Sequence, residues 1–373
     1  MVKGGAPLVV VAAGGTGGHL FPAEALTVAL AKRGAVVDLA TDERATRYGT
    51  AFPARATHII PSATIRGRDP VSLARTTAVL GFGVIKAWLL LGKLRPAAVI
   101  GFGGYPSIPP VLAASLRGIP TLIHEQNAVM GRANKFLSAR VSAIATGFPG
   151  VVDASPALAV KATPTGNPVR PAVVAVAGTA YAAPGASGPF NVLVFGGSQG
   201  ARIMADVVPE ALARLDSLLR ARLKVVQQAR AEDFDRVRQI YEHAKIAADV
   251  APFFTDLPAR IAASHLVISR SGASTVAELA AIGRPSILVP LPHALDQDQR
   301  ANAGVLEKVG GAIRIDQAEF THERLAAEIN ALAADPGRLA RMAAAAKSAG
   351  TLDAAERLAD LVLKVAGVVS PRQ

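Results

Sequence analysis

The stretch Gly14-Gly15-Thr16-Gly17-Gly18-His19 decides the reading of this chain. It follows an apolar run, Leu8 to Ala13, that has the composition of a buried β-strand. It precedes Leu20 to Arg33, which has helical spacing and good helix formers. A glycine-rich turn between strand and helix lets backbone N–H groups approach a diphosphate, with the positive end of the helix behind them. His19 places a base or donor at the mouth of that turn. A second such turn, Gly196-Gly197-Ser198-Gln199-Gly200, follows the run Asn191 to Phe195. Two glycine turns about 180 residues apart, each after a strand, predict two nucleotide-fold halves facing one cleft.

Working outward, apolar runs alternate with helix-like stretches. Leu8–Ala13, Val36–Ala40, Ala97–Ile100, Thr121–His124 and Ala143–Thr146 read as strands of the first half. Asn191–Phe195, Leu223–Gln227, Leu266–Ser269, Ser286–Val289 and Ala312–Ile315 read as those of the second. Continuous apolar strands separated by helices predict an α/β fold with parallel sheets covered on both faces. Gly166-Asn167-Pro168-Val169-Arg170-Pro171 stops one pattern with rigid punctuation and is the expected hinge. The expected domains are residues 1–166 and 167–349, with a C-terminal helix at about 350–373 packing back on the first. Ala172 to Pro189, rich in Ala, Gly and Pro, reads as a surface loop or insert.

At 373 residues, 51% of them hydrophobic, the chain can bury two ordinary cores. It has no cysteine, which excludes disulfides, thiolate metal sites and cysteine nucleophiles. The N-terminal residues lack the charged start, apolar core and cleavage site of a signal peptide. The net charge of +12 is unevenly spread: residues 1–165 hold 17 Lys and Arg against 7 Asp and Glu, and the remainder hold 23 against 21. The first half therefore expects an anionic partner. No aromatic-interleaved basic stripe or nucleic-acid motif accompanies that charge, so nucleic acid is not the expected partner.

Other segments carry possible chemistry. Gly101-Phe102-Gly103-Gly104-Tyr105-Pro106-Ser107 is a further strand-to-helix turn, open enough for ligand, although glycines there also serve close packing. His124-Glu125-Gln126-Asn127 follows a buried strand, where open α/β sheets bind ligands. In the second half, Arg270-Ser271-Gly272-Ala273-Ser274-Thr275-Val276-Ala277-Glu278 joins a strand to a helix. Its hydroxyls and N–H groups suit phosphate or ribose, and Glu278 can chelate vicinal hydroxyls or simply favour a helix N-terminus. The polar loop Pro290 to Ala303 can read sugar hydroxyls or be solvated. Val79 to Leu94 is apolar almost all round but is interrupted by Lys86 and reads as too short to span a bilayer. Such a helix is either core or partly embedded in lipid. Arg66, Arg68, Arg75, Lys86, Lys93 and Arg95 surround it, opposed only by Asp69. Phe82, Ile85, Trp88 and Leu89 are the candidate membrane contacts.

Taken in order, GGTGGH, GFGGYPS, HEQN, GNPVR, GGSQGA, RSGASTVAE and the DQDQ…NA loop resemble the lipid-linked muramyl-pentapeptide N-acetylglucosaminyltransferases of peptidoglycan synthesis, the MurG family of two-domain GT-B enzymes. The resemblance covers nearly the whole chain. It implies inverting transfer of N-acetylglucosamine from UDP-N-acetylglucosamine to the 4-hydroxyl of undecaprenyl-diphospho-N-acetylmuramoyl-pentapeptide, giving lipid II. It also implies peripheral attachment to an anionic membrane surface at the cytoplasmic face of the bacterial inner membrane, among other cell-wall synthesis and division proteins.

Carried onto these positions, Thr16, Gly17 and Gly18 line the first glycine loop. His19 is the candidate general base, with Glu125 as the alternative. Asn127 contacts donor sugar or phosphate, and Arg170 and Ser198 hold the donor diphosphate. Ala273, Ser274, Thr275, Val276, Ala277 and Glu278 hold nucleotide, with Glu278 on the ribose. Phe254 contacts uracil through its main chain, and Gln299 reaches the donor sugar. No cofactor and no acidic metal-binding pair are expected, because glycine-loop amides, a helix N-terminus and Arg170 can neutralise the leaving diphosphate. Two details depart from the pattern: Asp298 stands beside Gln299 where relatives carry two glutamines, and Ala172–Pro189 is longer than in relatives. The competing readings are a UDP-sugar transferase for another lipid acceptor, a sugar epimerase of the same fold, and a non-catalytic basic membrane-binding module.

Overall fold

The computed structural model describes residues 6–14, 17–43, 52–64, 69–198, 200–292 and 297–368. The chain divides into two compact units, Met1–Arg170 with Asp353–Gln373, and Pro171–Leu352. Each is built on one parallel sheet.

The first sheet contains β1 (Leu8–Ala12), β2 (Val36–Thr41), β3 (Ala56–Ile59), β4 (Ala98–Gly101), β5 (Thr121–Glu125), β6 (Ala143–Thr146) and β7 (Ala162–Pro164), in the order β3-β2-β1-β4-β5-β6-β7. Its central strands are buried on both faces, as the apolar runs of β1 and β4 require, and β5 buries Thr121, His124 and Glu125 along with Leu122 and Ile123. Successive side chains of β1 serve opposite layers. Val9 and Val11 join Leu26 and Leu30 of the helix Gly17–Lys32, together with Leu358 and Val362 of the helix Ala354–Val365. Val10 and Ala12 join Leu91, Val111 and Leu137 on the other side. The C-terminal helix thus completes the core of the first unit. Its Leu358, Val362 and Leu363 are each worth about 1.5–3 kcal/mol of burial. Arg33 fastens the same helix through Glu356 and Asp360.

The second sheet contains β8 (Phe190–Phe195), β9 (Leu223–Gln228), β10 (Ala247–Ala251), β11 (Leu266–Ser269), β12 (Ser286–Leu288) and β13 (Ala312–Arg314), in the order β10-β9-β8-β11-β12-β13. Both units therefore have the Rossmann-like order, in which the chain leaves the first strand on one side and returns on the other.

Three strands carry no strong sequence signal: β3, β7 and β10. All three are edge strands with partly exposed residues, so neither an apolar run nor strict alternation marks them. Ala172–Pro189 is not a free surface loop. It opens with a helix, Pro171–Val176, whose Val173 is fully buried, and it is strapped down by Tyr181, whose hydroxyl donates to the His265 carbonyl at 3.0 Å. Arg284, itself buried, donates to the Thr179 carbonyl from the other side.

The apolar helix of the first unit starts earlier than its composition indicates. It runs from Pro70 to Leu94, with the Asp69 carboxylate accepting from the Ser72 N–H as its N-cap. At 25 residues it is long and apolar enough to cross a membrane by length and composition, which corrects the expectation that it is too short. One flank is nevertheless committed to protein. Thr76, Gly83, Ala87 and Leu91 are buried, and a Cβ on Gly83 would lie 2.2 Å from the Pro61 carbonyl. Phe82, Ile85, Trp88 and Leu89 face outward, 43–61% exposed.

Candidate active site

In an open parallel sheet, ligands bind beyond the carboxyl ends of the strands where the strand order reverses. That point lies between β1 and β4 in the first unit and between β8 and β11 in the second. The turns after these four strands are the glycine-rich or hydroxyl-rich motifs singled out in the sequence.

In the first unit, Gly14 leaves β1 where a Cβ would come within 2.9 Å of the Thr41 hydroxyl. Thr16 lies outside the described residues. The helix begins at Gly17, which is buried, with Gly18 exposed in its first turn and His19 half-buried next to it. The glycines after β4 divide their work. Gly101 makes room for helix packing, since its Cβ would meet Val111 at 2.7 Å. Gly103 and Gly104 instead turn beneath the His19 ring, with φ of 80° and 68°. A Cβ on Gly104 would stand 3.3 Å from His19 Nε2.

The HEQN segment reaches the same place from β5. Gln126 Oε1 lies 3.1 Å from His19 Nδ1. Gln126 Nε2 contacts His124 Nδ1 at 3.0 Å and donates to the His124 carbonyl at 2.9 Å. His124 Nε2 contacts the Gly166 carbonyl at 3.0 Å. Burial drives the His124 imidazole down to about 4, with the Gly166 bond pulling the other way, so the ring is neutral near pH 7.

Glu125 points elsewhere. It is 1% exposed; Oε1 accepts from the Asn127 N–H at 2.9 Å and Nδ2 at 3.2 Å, and Oε2 accepts from the Gly131 N–H at 2.9 Å and Asn134 Nδ2 at 2.8 Å. A general base needs a lone pair within reach of the proton it removes. Both oxygens of Glu125 are committed to folding the 127–131 loop, so the carboxylate is a clasp rather than an alternative base. Asn127 is held half-buried by that clasp. The GNPVR segment completes the group. Asn167 Nδ2 donates to the Gln126 carbonyl at 2.8 Å, and the Arg170 guanidinium lies 4.6 Å over the Phe21 ring. Burial raises the nearby Glu24 carboxyl, opposed by the Arg170 charge.

In the second unit, Gly197 and Gly200 take φ of 90° and 69°, and Gly196 admits no side chain, because a Cβ would lie 2.2 Å from the Ala201 nitrogen. Ser198 is exposed at the tip of this turn. Gln228 anchors it, accepting from the Gly196 N–H at 3.0 Å while donating to the Pro252 carbonyl at 3.2 Å. The helix Ala273–Ile282 starts after Gly272, and Ala273, Ser274 and Thr275 form its half-buried first turn, at the positive end of the helix dipole. Val276 is fully buried and its N–H donates to the Gly272 carbonyl, so its part is packing rather than contact. Ala277 and Glu278 are buried one turn in.

Phe254 is buried beneath the Arg260 guanidinium at 4.2 Å, while Phe253 is exposed. Gln299 accepts from the Leu291 N–H through Oε1 at 3.1 Å, and its carbonyl accepts from the Ser271 hydroxyl at 2.7 Å. Asn302 Nδ2 and the buried Arg270 tie the same two loops, the latter through the Val289 and Pro290 carbonyls.

The structure thus gathers the first four motifs in one unit and the remaining three in the other. Gln126, Asn134, Gln228 and Arg270, which join motif to motif, carry no individual signal in the sequence. Two Asp-x-Asp triplets are present, Asp233-Phe234-Asp235 and Asp296-Gln297-Asp298. Asp233 is consumed by Arg230 and Arg236, and Asp298 accepts from the Gln299 N–H. Among the described residues no group of three or more His, Asp or Glu could hold a metal ion.

Residues 9–146 match the glycosyltransferase family 28 N-terminal domain and residues 191–358 its C-terminal domain. The UDP-N-acetylglucosamine–N-acetylmuramyl-(pentapeptide) pyrophosphoryl-undecaprenol N-acetylglucosamine transferase of Rhodopseudomonas palustris (strain BisB18) is 66% identical over 98% of this chain and 97% of its own length. The chain belongs to the MurG family of glycosyltransferases. A solved MurG from Acinetobacter baumannii superposes with a TM-score of 0.78 at 30% identity, over 96% of this chain and 99% of that one. A UDP-GlcNAc 2-epimerase from Neisseria meningitidis superposes at 0.66 with 14% identity, over 96% and 99% of the two chains, and shares the fold alone. The MurG fold, two Rossmann-like parallel-sheet units, is the GT-B architecture that the sequence motifs imply.

Proposed function

We propose that this MurG-family chain transfers N-acetylglucosamine from UDP-N-acetylglucosamine, with inversion, to the 4-hydroxyl of the lipid-linked muramyl-pentapeptide. The observation that carries the assignment of roles is the convergence of two other motifs, the turn at Gly103-Gly104 and the HEQN segment, on His19. The first unit supplies the base. The acceptor O–H gives its proton to His19 Nε2 while its oxygen attacks C1 of the donor sugar. The C1–O bond to UDP breaks, and its electron pair leaves on the diphosphate. The second unit grips the nucleotide through Ser198 beside Gly197 and through the first turn of the Ala273–Ile282 helix, whose N-terminal dipole favours phosphate. Glu278 takes the ribose, Phe254 the uracil through main chain, and Gln299 the sugar. Arg170 adds a positive charge for the leaving diphosphate, and Asn127 is presented by the Glu125 clasp.

The acceptor is anchored in lipid, so the enzyme works at the inner face of the cytoplasmic membrane. Support comes from the outward row Phe82, Ile85, Trp88 and Leu89 on a helix flanked by Lys86, Lys93 and Arg95, all exposed. Buried on one flank and bare on the other, that helix suits a peripheral attachment.

The test is UDP release from UDP-N-acetylglucosamine with and without undecaprenyl-diphospho-muramyl-pentapeptide, with His19→Ala alongside. Acceptor-dependent release with a disaccharide-lipid product is expected, and a fall of about 10²–10⁴-fold in kcat for the variant. Release that ignores the acceptor would overturn the assignment and favour epimerisation.

A further inference from the structure

A histidine works as a base only if the nitrogen facing the substrate carries the lone pair, and neutral imidazole has two tautomers. Nothing in the His19 ring itself selects one. The selection can be traced outward through atoms whose roles are not in question. The Gly166 carbonyl can only accept, so His124 Nε2 carries the hydrogen of that 3.0 Å contact. A neutral His124 then has its lone pair on Nδ1. Gln126 Nε2 sits against that lone pair and against the His124 carbonyl, a second obligate acceptor. The amide is therefore oriented with nitrogen toward His124 and oxygen toward His19. Reversing it would set Gln126 Oε1 against the His124 carbonyl oxygen. With Gln126 and His124 both buried, no solvent is at hand to soften that clash. The Gln126 backbone is pinned as well, its carbonyl accepting from Asn167.

We propose that His124 and Gln126 form a positioning relay that holds His19 as its Nδ1–H tautomer, so that Nε2, the nitrogen above Gly104, takes the acceptor's proton. This rests on the reading of His19 as the base and adds to it the pair that sets its protonation pattern. The relay is made of neutral groups throughout. When Nε2 gains the proton, Nδ1–H continues to donate to Gln126 Oε1, and no second proton moves.

The test uses the full chain with ¹⁵N-labelled histidine. In the wild type, His19 should show a pyrrole-type Nδ1 and a pyridine-type Nε2 above the ring's pKa. In Gln126→Met, which keeps side-chain bulk but removes the amide, that pattern should be lost. Acceptor-dependent kcat should fall about ten- to hundred-fold, with the KM for UDP-N-acetylglucosamine within about twofold of wild type. A wild-type His19 with its hydrogen on Nε2 overturns the relay without any variant, should Gln126→Met fail to fold. So does a folded Gln126→Met enzyme of undiminished kcat. Failure of the base reading is distinguishable: it shows as a His19→Ala enzyme that keeps its kcat, whatever the tautomer of the wild type.

Discussion

Replacing Glu125 by Gln separates a clasp from a base. The two side chains have nearly the same shape, so only charge and one acceptor oxygen change. In the native enzyme four donors converge on the carboxylate at 2.8–3.2 Å, two of them backbone N–H groups. A glutamine amide keeps one oxygen and turns its NH₂ toward the other two donors, leaving them unmatched. Each buried donor stripped of its partner costs about 1–3 kcal/mol, and bonds to charged acceptors lie at the upper end. A loss of about 3 kcal/mol follows for the first unit. For domains of about 150–250 residues that corresponds to roughly 6–12 °C in Tm. The assay is thermal unfolding of purified Glu125→Gln beside wild type, with kcat and UDP affinity measured on the same samples. UDP affinity should change far less than stability, because the uracil, the ribose and most phosphate contacts are assigned to the other unit and Arg170 is the first unit's assigned charge on the diphosphate. An unchanged Tm with kcat lowered 10²-fold or more would refute the clasp, since that is the signature of a lost base in an intact fold.

Acid should weaken the first unit through His124. Burial depresses its imidazole from 6.5 to about 4. The unfolded chain therefore takes up a proton before the folded one does. The stability contributed is complete above about pH 6.5 and is lost as pH falls toward 4, amounting to about 3 kcal/mol. Denaturant titrations from pH 7.5 to 4.5 should show that slope, and His124→Phe should flatten it; a slope equal in both would remove His124 as the cause. Gly104→Ala would place a methyl group 3.3 Å from His19 Nε2 at a φ of 68°, so kcat should drop about ten- to hundred-fold with UDP affinity unchanged. Full activity in that variant would mean the His19 ring is not held where the reaction occurs. Reversing Lys86, Lys93 and Arg95 to Glu should lower sedimentation with anionic vesicles more than about a hundred-fold, at about 1 kcal/mol per basic residue before repulsion is added. Unaltered sedimentation would place the membrane face elsewhere.

By itself the sequence determined the central strands of both sheets, the glycine turns after them, and the family to which the motifs belong. These are local properties. A strand buried on both faces must be an apolar run, and a turn with φ near 70–90° is most readily built with glycine, as at Gly104 and Gly197. The apolar row from Phe82 to Leu89 was equally legible, but only packing showed which flank is used, because Gly83 and Ala87 look no more buried in sequence than Gly81 or Ala78. Edge strands such as β10, exposed along much of their length, left no pattern to read.

The tertiary structure alone decided which residue of HEQN touches His19. The bond from His19 to Gln126 joins positions 107 residues apart, and the alternation of β5 carries neighbouring side chains to opposite sides. Glu125 therefore went into the loop it folds, although its charge made it look like chemistry, and Gln126 went to the histidine. Periodicity can say that a strand end will carry function. It cannot say which side chain meets a partner from another strand, because that is set by sheet order and register, and those are properties of the whole fold.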